Sequence, residues 1–172
     1  MSFARVIAWL LFAVWATWSF ALEGWLANGS GARWVPDFGL VLALSVLARA
    51  EASDALLIAA IAAIARAAFG SEPPVVLLTG FAIVVFLALA ARRAVEISGA
   101  VWRAILTLGL VLVFDAWLAV AQSMRSGGTE PVRIAALLSA WPAAITSAFL
   151  ALGCGPLLAR LPGLTPIRRR SW

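Results

Sequence analysis

Long apolar runs, separated by short polar, proline-containing or glycine-containing segments, cover most of the 172-residue chain. An α-helix needs about 20 residues to cross a bilayer, and most of these runs approach or exceed that length. They predict helices at residues 4–26, 36–50, 53–69, 74–91, 98–121 and 131–158, followed by a basic tail at 159–172. We therefore expect an all-α integral membrane protein with about six transmembrane helices in a single domain.

The composition agrees with a membrane location and narrows the chemistry. Hydrophobic residues make up 64% of the chain and charged residues only 12%, against about 45–50% and about 25% in soluble domains. Without histidine, and with Cys154 as the single cysteine, the chain lacks the commonest metal ligands and the commonest general base. We expect no metal, no cofactor and no catalytic activity.

The arginines predict the orientation in the membrane. Six spans place both termini on one side. The side with the termini holds nine arginines, namely Arg5, Arg49, Arg92, Arg93, Arg103, Arg160, Arg168, Arg169 and Arg170. The opposite side holds four, namely Arg33, Arg66, Arg125 and Arg133. The positive-inside rule then predicts cytoplasmic termini. Because the arginines lie mainly between apolar runs, we expect no nucleic-acid binding. The last three arginines are expected to lie on the bilayer surface, against anionic headgroups.

Two charges interrupt the apolar runs and are candidates for a functional site. Asp115 lies deep inside the fifth predicted helix, where a carboxylate costs roughly 2.5–3.5 kcal/mol to insert, and Thr107 and Gln122 share its helix face by spacing. Arg66 lies within the third predicted helix. One hypothesis is that Asp115 and Arg66 form an ion pair or share a hydrated pocket. The alternatives are a buried tie that fixes helix register, an Asp115 that is neutral and hydrogen-bonded, or an Arg66 that reaches the membrane surface.

Small residues recur at four-residue spacing along the third predicted helix, at Ala55, Ala59, Ala63 and Ala67. Small side chains at this spacing let two helices approach closely. They are interpreted as a packing face, directed either to another helix of this chain or to a partner.

The segment from Arg33 to Leu44 contains Pro36-Asp37 followed by an aliphatic run. It resembles the entry to the second helix in the rod shape-determining protein MreD family. The chain length, the number of predicted spans and the break at Gly70, Pro73 and Pro74 are also similar to that family. The resemblance covers mainly residues 1–100.

The resemblance implies a fold like the six-helix substrate-binding subunits (S-components) of energy-coupling-factor transporters. It further implies a non-catalytic scaffold of the bacterial inner membrane, acting in cell-wall elongation and cell shape beside an MreC-like anchor and the wall-elongation synthases. Pro36 and Asp37 would have a structural capping role. Two alternatives remain: a small-molecule-binding transporter subunit with an outward-opening cavity lined by Asp115, Thr107 and Gln122, and an accessory structural subunit of another membrane complex.

Overall fold

The computed structural model describes residues 3–30, 32–94, 99–126, 134–158, 160–164 and 167, and this part of the chain is all-helical, without a β-strand. The six α-helices are α1 (Phe3–Ser30), α2 (Phe38–Leu47), α3 (Ala55–Ala67), α4 (Pro74–Ala94), α5 (Ala100–Arg125) and α6 (Ile134–Leu158). Short 3-10 helices at Ala32–Trp34 and Ala52–Asp54 precede α2 and α3.

Four helices are long and apolar enough to cross a membrane, at Phe3–Gly29, Pro74–Arg93, Ala100–Arg125 and Ser139–Leu158. The prediction of an all-helical, membrane-embedded chain is confirmed at this level. The helices α2 and α3 have 10 and 13 residues, or about 15 and 20 Å at about 1.5 Å per residue. Both are shorter than the hydrocarbon core of about 30 Å.

Polar contacts between helix ends establish how the first four helices run. Near the start of α1, the Arg5 guanidinium donates to Asp54, immediately before α3, at 2.6 Å. At the end of α4, Arg92 donates to the carbonyls of Leu47 and Ala50 at 2.9 and 3.1 Å. The starts of α1 and α3 therefore lie beside the ends of α2 and α4. This side of the bundle is called the arginine-rich end, and it carries Arg5, Arg49, Arg92, Arg93 and Arg103.

The helix α2 lies along α6 and begins near its middle. The Asp37 N–H, just before α2, donates to the Ser147 hydroxyl at 2.9 Å, and Gly155 of α6 lies beside the Ser45 hydroxyl of α2. Ser147 is 13 residues from Ile134, which is about 20 Å along α6. The non-helical backbone before α2 therefore enters the interior of the bundle, where protein rather than lipid surrounds it.

The predicted second and third helices, 36–50 and 53–69, are too long at both ends. Asp37 belongs to the cap of α2 rather than to its first turn, and the chain after Leu47 turns through Ala52–Asp54 before α3 begins. The flanking segments contain a proline and several alanines, which are compatible with a helix start and a helix interior. Residue type alone therefore overestimated the helix lengths.

The alanine spacing of α3 corresponds to a buried face. Ala55, Ala59 and Ala63 are each at most 2% exposed, and Ala67 packs partly buried against the same core. The main packing partners of α3 are α1, α2 and α4. In the structure this face is therefore directed to helices of the same chain.

Gly80 allows α4 and α5 to approach closely. A Cβ atom at Gly80 would lie 2.7 Å from the Trp117 ring and 2.9 Å from the Phe114 ring. The neighbouring Trp117 indole N–H donates to the Val76 carbonyl at 2.9 Å. The contact is therefore tight and also hydrogen-bonded.

Part of the predicted basic tail at 159–172 belongs to the packed core. Leu164 and Ile167 are each 1% exposed, and Gly163, with a φ of 83°, lies against the Leu11 side chain. The chain turns there and returns to α1. The tail residues Arg168, Arg169 and Arg170, predicted to lie on the membrane surface, fall outside the described residues.

Candidate functional site

Asp37 connects the start of α2 to two other helices. Its carboxylate accepts a hydrogen bond from the Leu40 N–H at 2.8 Å, which makes it the N-cap of α2. Its own N–H donates to Ser147 of α6. The second carboxylate oxygen accepts from Arg66 of α3. A single residue, 6% exposed, therefore joins α2, α3 and α6.

Arg66 extends this connection to α1. Its guanidinium pairs with Asp37 and lies 3.8 Å from a carboxylate oxygen of Glu23. The side chains are 19% exposed for Arg66, 8% for Asp37 and 23% for Glu23. When one partner of an ion pair buried to this degree is lost, the folded protein is strongly destabilised, because the other charge remains buried without a partner.

Aromatic rings complete the surroundings of Arg66. The guanidinium carbon lies 4.8 Å from the centre of the Phe114 ring and 5.4 Å from that of Phe20. Phe81 packs against both rings, with centroid distances of 6.2 Å to Phe20 and 4.8 Å to Phe114. A cation within about 6 Å of an aromatic face is attracted by its quadrupole. Phe20 of α1 and Phe114 of α5 therefore cover the guanidinium, and α4 contributes the ring that packs against both.

Asp115 lies near these residues but does not pair directly with Arg66. Among the described residues, the ion pairs of Arg66 go to Asp37 and Glu23, while Asp115 is close enough for its charge to interact with Asp37 and Arg66. The predicted ion pair between Asp115 and Arg66 is therefore not formed, whereas a hydrated pocket shared by the two residues stays a prediction. Instead, the ring of the preceding residue, Phe114, lies against the guanidinium.

We call Glu23, Asp37, Arg66 and Asp115 the charge cluster. Its three carboxylates surround one guanidinium, and the second carboxylate oxygen of Glu23 is buried without a hydrogen-bond partner in the protein. Asp115 is 10 residues from Arg125 at the end of α5, about 15 Å along the helix. The cluster therefore lies within the membrane-spanning part of the bundle. Its ion pairs and hydrogen bonds fasten α1, α2, α3 and α6 together.

The other polar residues predicted on α5 do not join the cluster. Thr107 is buried and lines a cavity at the arginine-rich end, whereas Gln122 is exposed. Spacings of eight and seven residues from Asp115 correspond to about 12 and 10 Å along the helix. The cavity lined by Thr107 includes neither Asp115 nor Gln122 among its described lining residues, and a common pocket of the three residues stays a prediction.

Glu23 is the cluster member that the sequence analysis missed. It lies inside the apolar run at 4–26. The rule that identified Asp115, a carboxylate at membrane depth, applies equally to Glu23. Its position near the end of the predicted helix made it resemble an ordinary boundary residue.

The cavity at the arginine-rich end has a volume of about 310 Å³. It lies between α2, α4, α5 and α6, and its polar lining includes Arg92, Arg103 and Thr107. The Arg103 Nε is buried without a hydrogen-bond partner in the protein. This cavity is separate from the charge cluster, because none of the four cluster residues lines it.

Within the described ranges, no three histidine, cysteine, aspartate or glutamate side chains are arranged to hold a metal ion.

The fold and the charge cluster define the class of this protein as a helical membrane protein fastened by an internal ion-pair network. No protein-family model, curated protein or solved structure matches the chain.

Proposed function

We propose that the chain is a non-catalytic scaffold subunit of a bacterial cell-wall elongation complex. In this proposal it crosses the inner membrane six times, with both termini cytoplasmic and α2 and α3 forming a shortened hairpin. Its arrangement would be similar to energy-coupling-factor S-components. The proposal is supported by the resemblance of residues 1–100 to the MreD family and by the buried charges, which connect helices to one another inside the bundle.

The observation that carries the proposal is the position of Asp37. Its carboxylate and N–H contact α2, α3 and α6, and Arg66 adds α1. Buried charges that hold helices in fixed relative positions are suited to a rigid platform. The outer faces of the helices then remain available to other membrane proteins.

The proposed partner surface is the outward face of α1. Large apolar side chains are exposed there at intervals of three or four residues, namely Ile7, Leu10, Val14, Trp18, Leu22 and Trp25. The main packing partners of α1 are α2 and α3. Trp18 and Trp25 are 69% and 72% exposed, and tryptophan is enriched among the residues that dominate protein interfaces. We call this surface the α1 face.

Photo-crosslinking in cells tests the proposal. A photoreactive benzoylphenylalanine would replace Trp18 on the α1 face or, as a matched control, Phe86 on α4, which is 71% exposed. The full tagged chain is then purified in mild detergent and its adducts are identified by mass spectrometry. We expect an MreC-like anchor or a wall-elongation synthase to be crosslinked from position 18 and not from position 86. Equal labelling from both positions, or recovery of the chain without either protein, would contradict the proposal.

The second candidate, a small-molecule-binding subunit of a transporter, is favoured by the cavity of about 310 Å³. Ligand pockets span about 300–1,000 Å³. Of the three residues predicted to line such a cavity, Thr107 lines this one. The cavity lies at the arginine-rich end of the bundle, whereas the predicted cavity opens outward, at the opposite end. Copurification of a transport ATPase in the same experiment would support this candidate over the scaffold.

A further inference from the structure

The cavity at the arginine-rich end combines an apolar wall with two guanidinium groups. Its volume of about 310 Å³ corresponds to about ten water molecules at about 30 Å³ each. Leu44, Leu106 and Ala151 contribute to the apolar wall, while Arg92 and Arg103 supply positive charge. An apolar cavity with positive charge on its wall suits a ligand that is both apolar and anionic.

Arg92 is held in place by the end of α2. One of its guanidinium nitrogens donates to the carbonyls of Leu47 and Ala50. A cation at a helix C-terminus is stabilised by the partial negative charge of the free carbonyls. The side chain is therefore preorganised at the cavity before any ligand arrives.

Arg103 has donor capacity that the protein does not use. Its Nε is buried without a hydrogen-bond partner, and a buried donor without a partner destabilises the protein, more so when it is charged. Arg103 also lies in the early part of α5, whose first turn contains no acidic residue. The partial positive charge of this helix start therefore adds to that of the guanidinium.

The described carboxylates at this end are already engaged. Glu51 and Asp54 both pair with Arg5. In the part of the chain that the structure describes, neither Arg92 nor Arg103 forms an ion pair with a carboxylate. The cavity therefore presents positive charge without a counter-ion from these residues.

We propose that this cavity binds the phosphate group of an anionic lipid, with the phosphate on Arg92 and Arg103 and part of the acyl chain along the apolar wall. Arginine suits phosphate because its planar fork donates two parallel hydrogen bonds. The arginine excess also matches the anionic surface of a cytoplasmic leaflet. The proposal does not depend on the scaffold function, because it concerns a cavity away from the α1 face.

The test separates the phosphate from the lipid chain. The full-length chain in neutral detergent is incubated with phosphatidylglycerol, with diacylglycerol, which has no phosphate, or with inorganic phosphate at the same concentration. Native mass spectrometry measures retained ligand, and the midpoint of thermal unfolding measures protection. We expect retention and protection with phosphatidylglycerol, and neither with the other two probes.

Three variants assign the effect to the cavity. Arg103→Gln should weaken phosphatidylglycerol retention roughly tenfold or more, since a hydrogen bond to a charged group contributes about 1.5–3 kcal/mol. Arg93→Gln removes the same charge from an exposed side chain outside this cavity and should change retention less than about twofold. Ala151→Leu fills the apolar wall, keeps both guanidinium groups and should also reduce retention.

Several results would overturn the proposal. Equal losses in Arg103→Gln and Arg93→Gln would show a diffuse surface effect. Equal retention of diacylglycerol would show an apolar groove without phosphate recognition. Equal protection by inorganic phosphate would remove the lipid chain from the proposal and identify free phosphate as the source. If Arg103→Gln does not fold, unchanged retention in Ala151→Leu would still contradict the site.

Discussion

The charge cluster around Arg66 and the cavity at the arginine-rich end pair their charges in different ways. In the cluster, one guanidinium contacts Asp37 and Glu23, and two aromatic rings cover it. At the cavity, Arg92 and Arg103 have no carboxylate partner among the described residues, although Arg92 is held by backbone carbonyls. In the charge cluster, the positive charge is compensated by carboxylates of the protein. At the cavity, positive charge remains available to a ligand.

Distance from water explains the difference. A charge at membrane depth is expensive unless another part of the protein compensates it. Near the bilayer surface, water and lipid phosphates compensate an arginine at little cost. Changes in the cluster should therefore affect mainly stability, whereas changes at the cavity should affect mainly binding.

The largest effect on stability is expected for Arg66→Leu. The substitution leaves Asp37 and Glu23 without their shared cation, so we expect the free energy of unfolding to fall by about 3–5 kcal/mol. Reversible unfolding in mixed detergent micelles, followed by the fluorescence of the nine tryptophans, measures it. Arg93→Leu, which removes an exposed guanidinium, is the matched control and should have little effect. Similar stability of the two variants would show that the cluster does not fasten the helices.

Two substitutions of Asp37 separate its charge from its capping role. Asp37→Asn retains an oxygen for the Leu40 N–H but loses the charge opposite Arg66, and we expect a loss of about 1–3 kcal/mol. Asp37→Ala also removes the cap and should cost about 1 kcal/mol more. The same unfolding measurement gives both values. If the two variants are equally stable, the capping hydrogen bond contributes nothing measurable.

The close approach of α4 and α5 should also be sensitive to an added methyl group. Gly80→Ala brings a Cβ atom within 3 Å of the Trp117 and Phe114 rings, and overpacking of this kind costs about 1–3 kcal/mol. Gly109→Ala on α5 is the control, since no atom lies within 4 Å of its added Cβ. We expect that variant to be neutral or more stable by up to about 1 kcal/mol. Destabilisation by Gly109→Ala alone would refute this account of the packing.

The smallest effect is expected at the end of α5. Arg125 pairs with Glu72 at 2.9 Å, and the Arg125 side chain is 53% exposed. Exposed ion pairs contribute about 0–1 kcal/mol, so Arg125→Gln should change the unfolding free energy by less than about 1 kcal/mol. A loss comparable with that of Arg66→Leu would mean that burial does not explain the contrast between the two pairs.

The sequence predicted the helices better than their lengths. Continuous apolar runs identified the four long helices because length and hydrophobicity suffice for that purpose. The short helix α2 was overestimated at its start because proline is favoured at the first position of a helix, and at its end because Ala48 and Ala50 are compatible with a helix. The contact between Asp37 and Ser147 places the start of α2 beside the middle of α6. It joins residues 110 positions apart, and a local sequence pattern cannot predict such a contact.

The site was predicted only in part for a similar reason. Arg66 and Asp115 were recognisable as charges within apolar runs, and Asp37 as a residue at the start of a helix. Which carboxylate contacts Arg66 depends on how α1, α2 and α5 surround α3, and spacing along one helix does not determine this. Phe114 takes the place expected for Asp115 because adjacent residues on a helix point about 100° apart.

A double-mutant cycle between Asp37 and Arg66 tests the central claim, that buried charges fasten these helices, most directly. The unfolding free energies of Asp37→Asn, Arg66→Leu and the double variant are compared with that of the unchanged protein. Coupled residues interact by about 0.5–3 kcal/mol, and we predict a value in the upper half of this range, with the double variant less destabilised than the sum of the single ones. Additive losses, within about 0.5 kcal/mol, would contradict the claim and reduce the charge cluster to a set of independent residues.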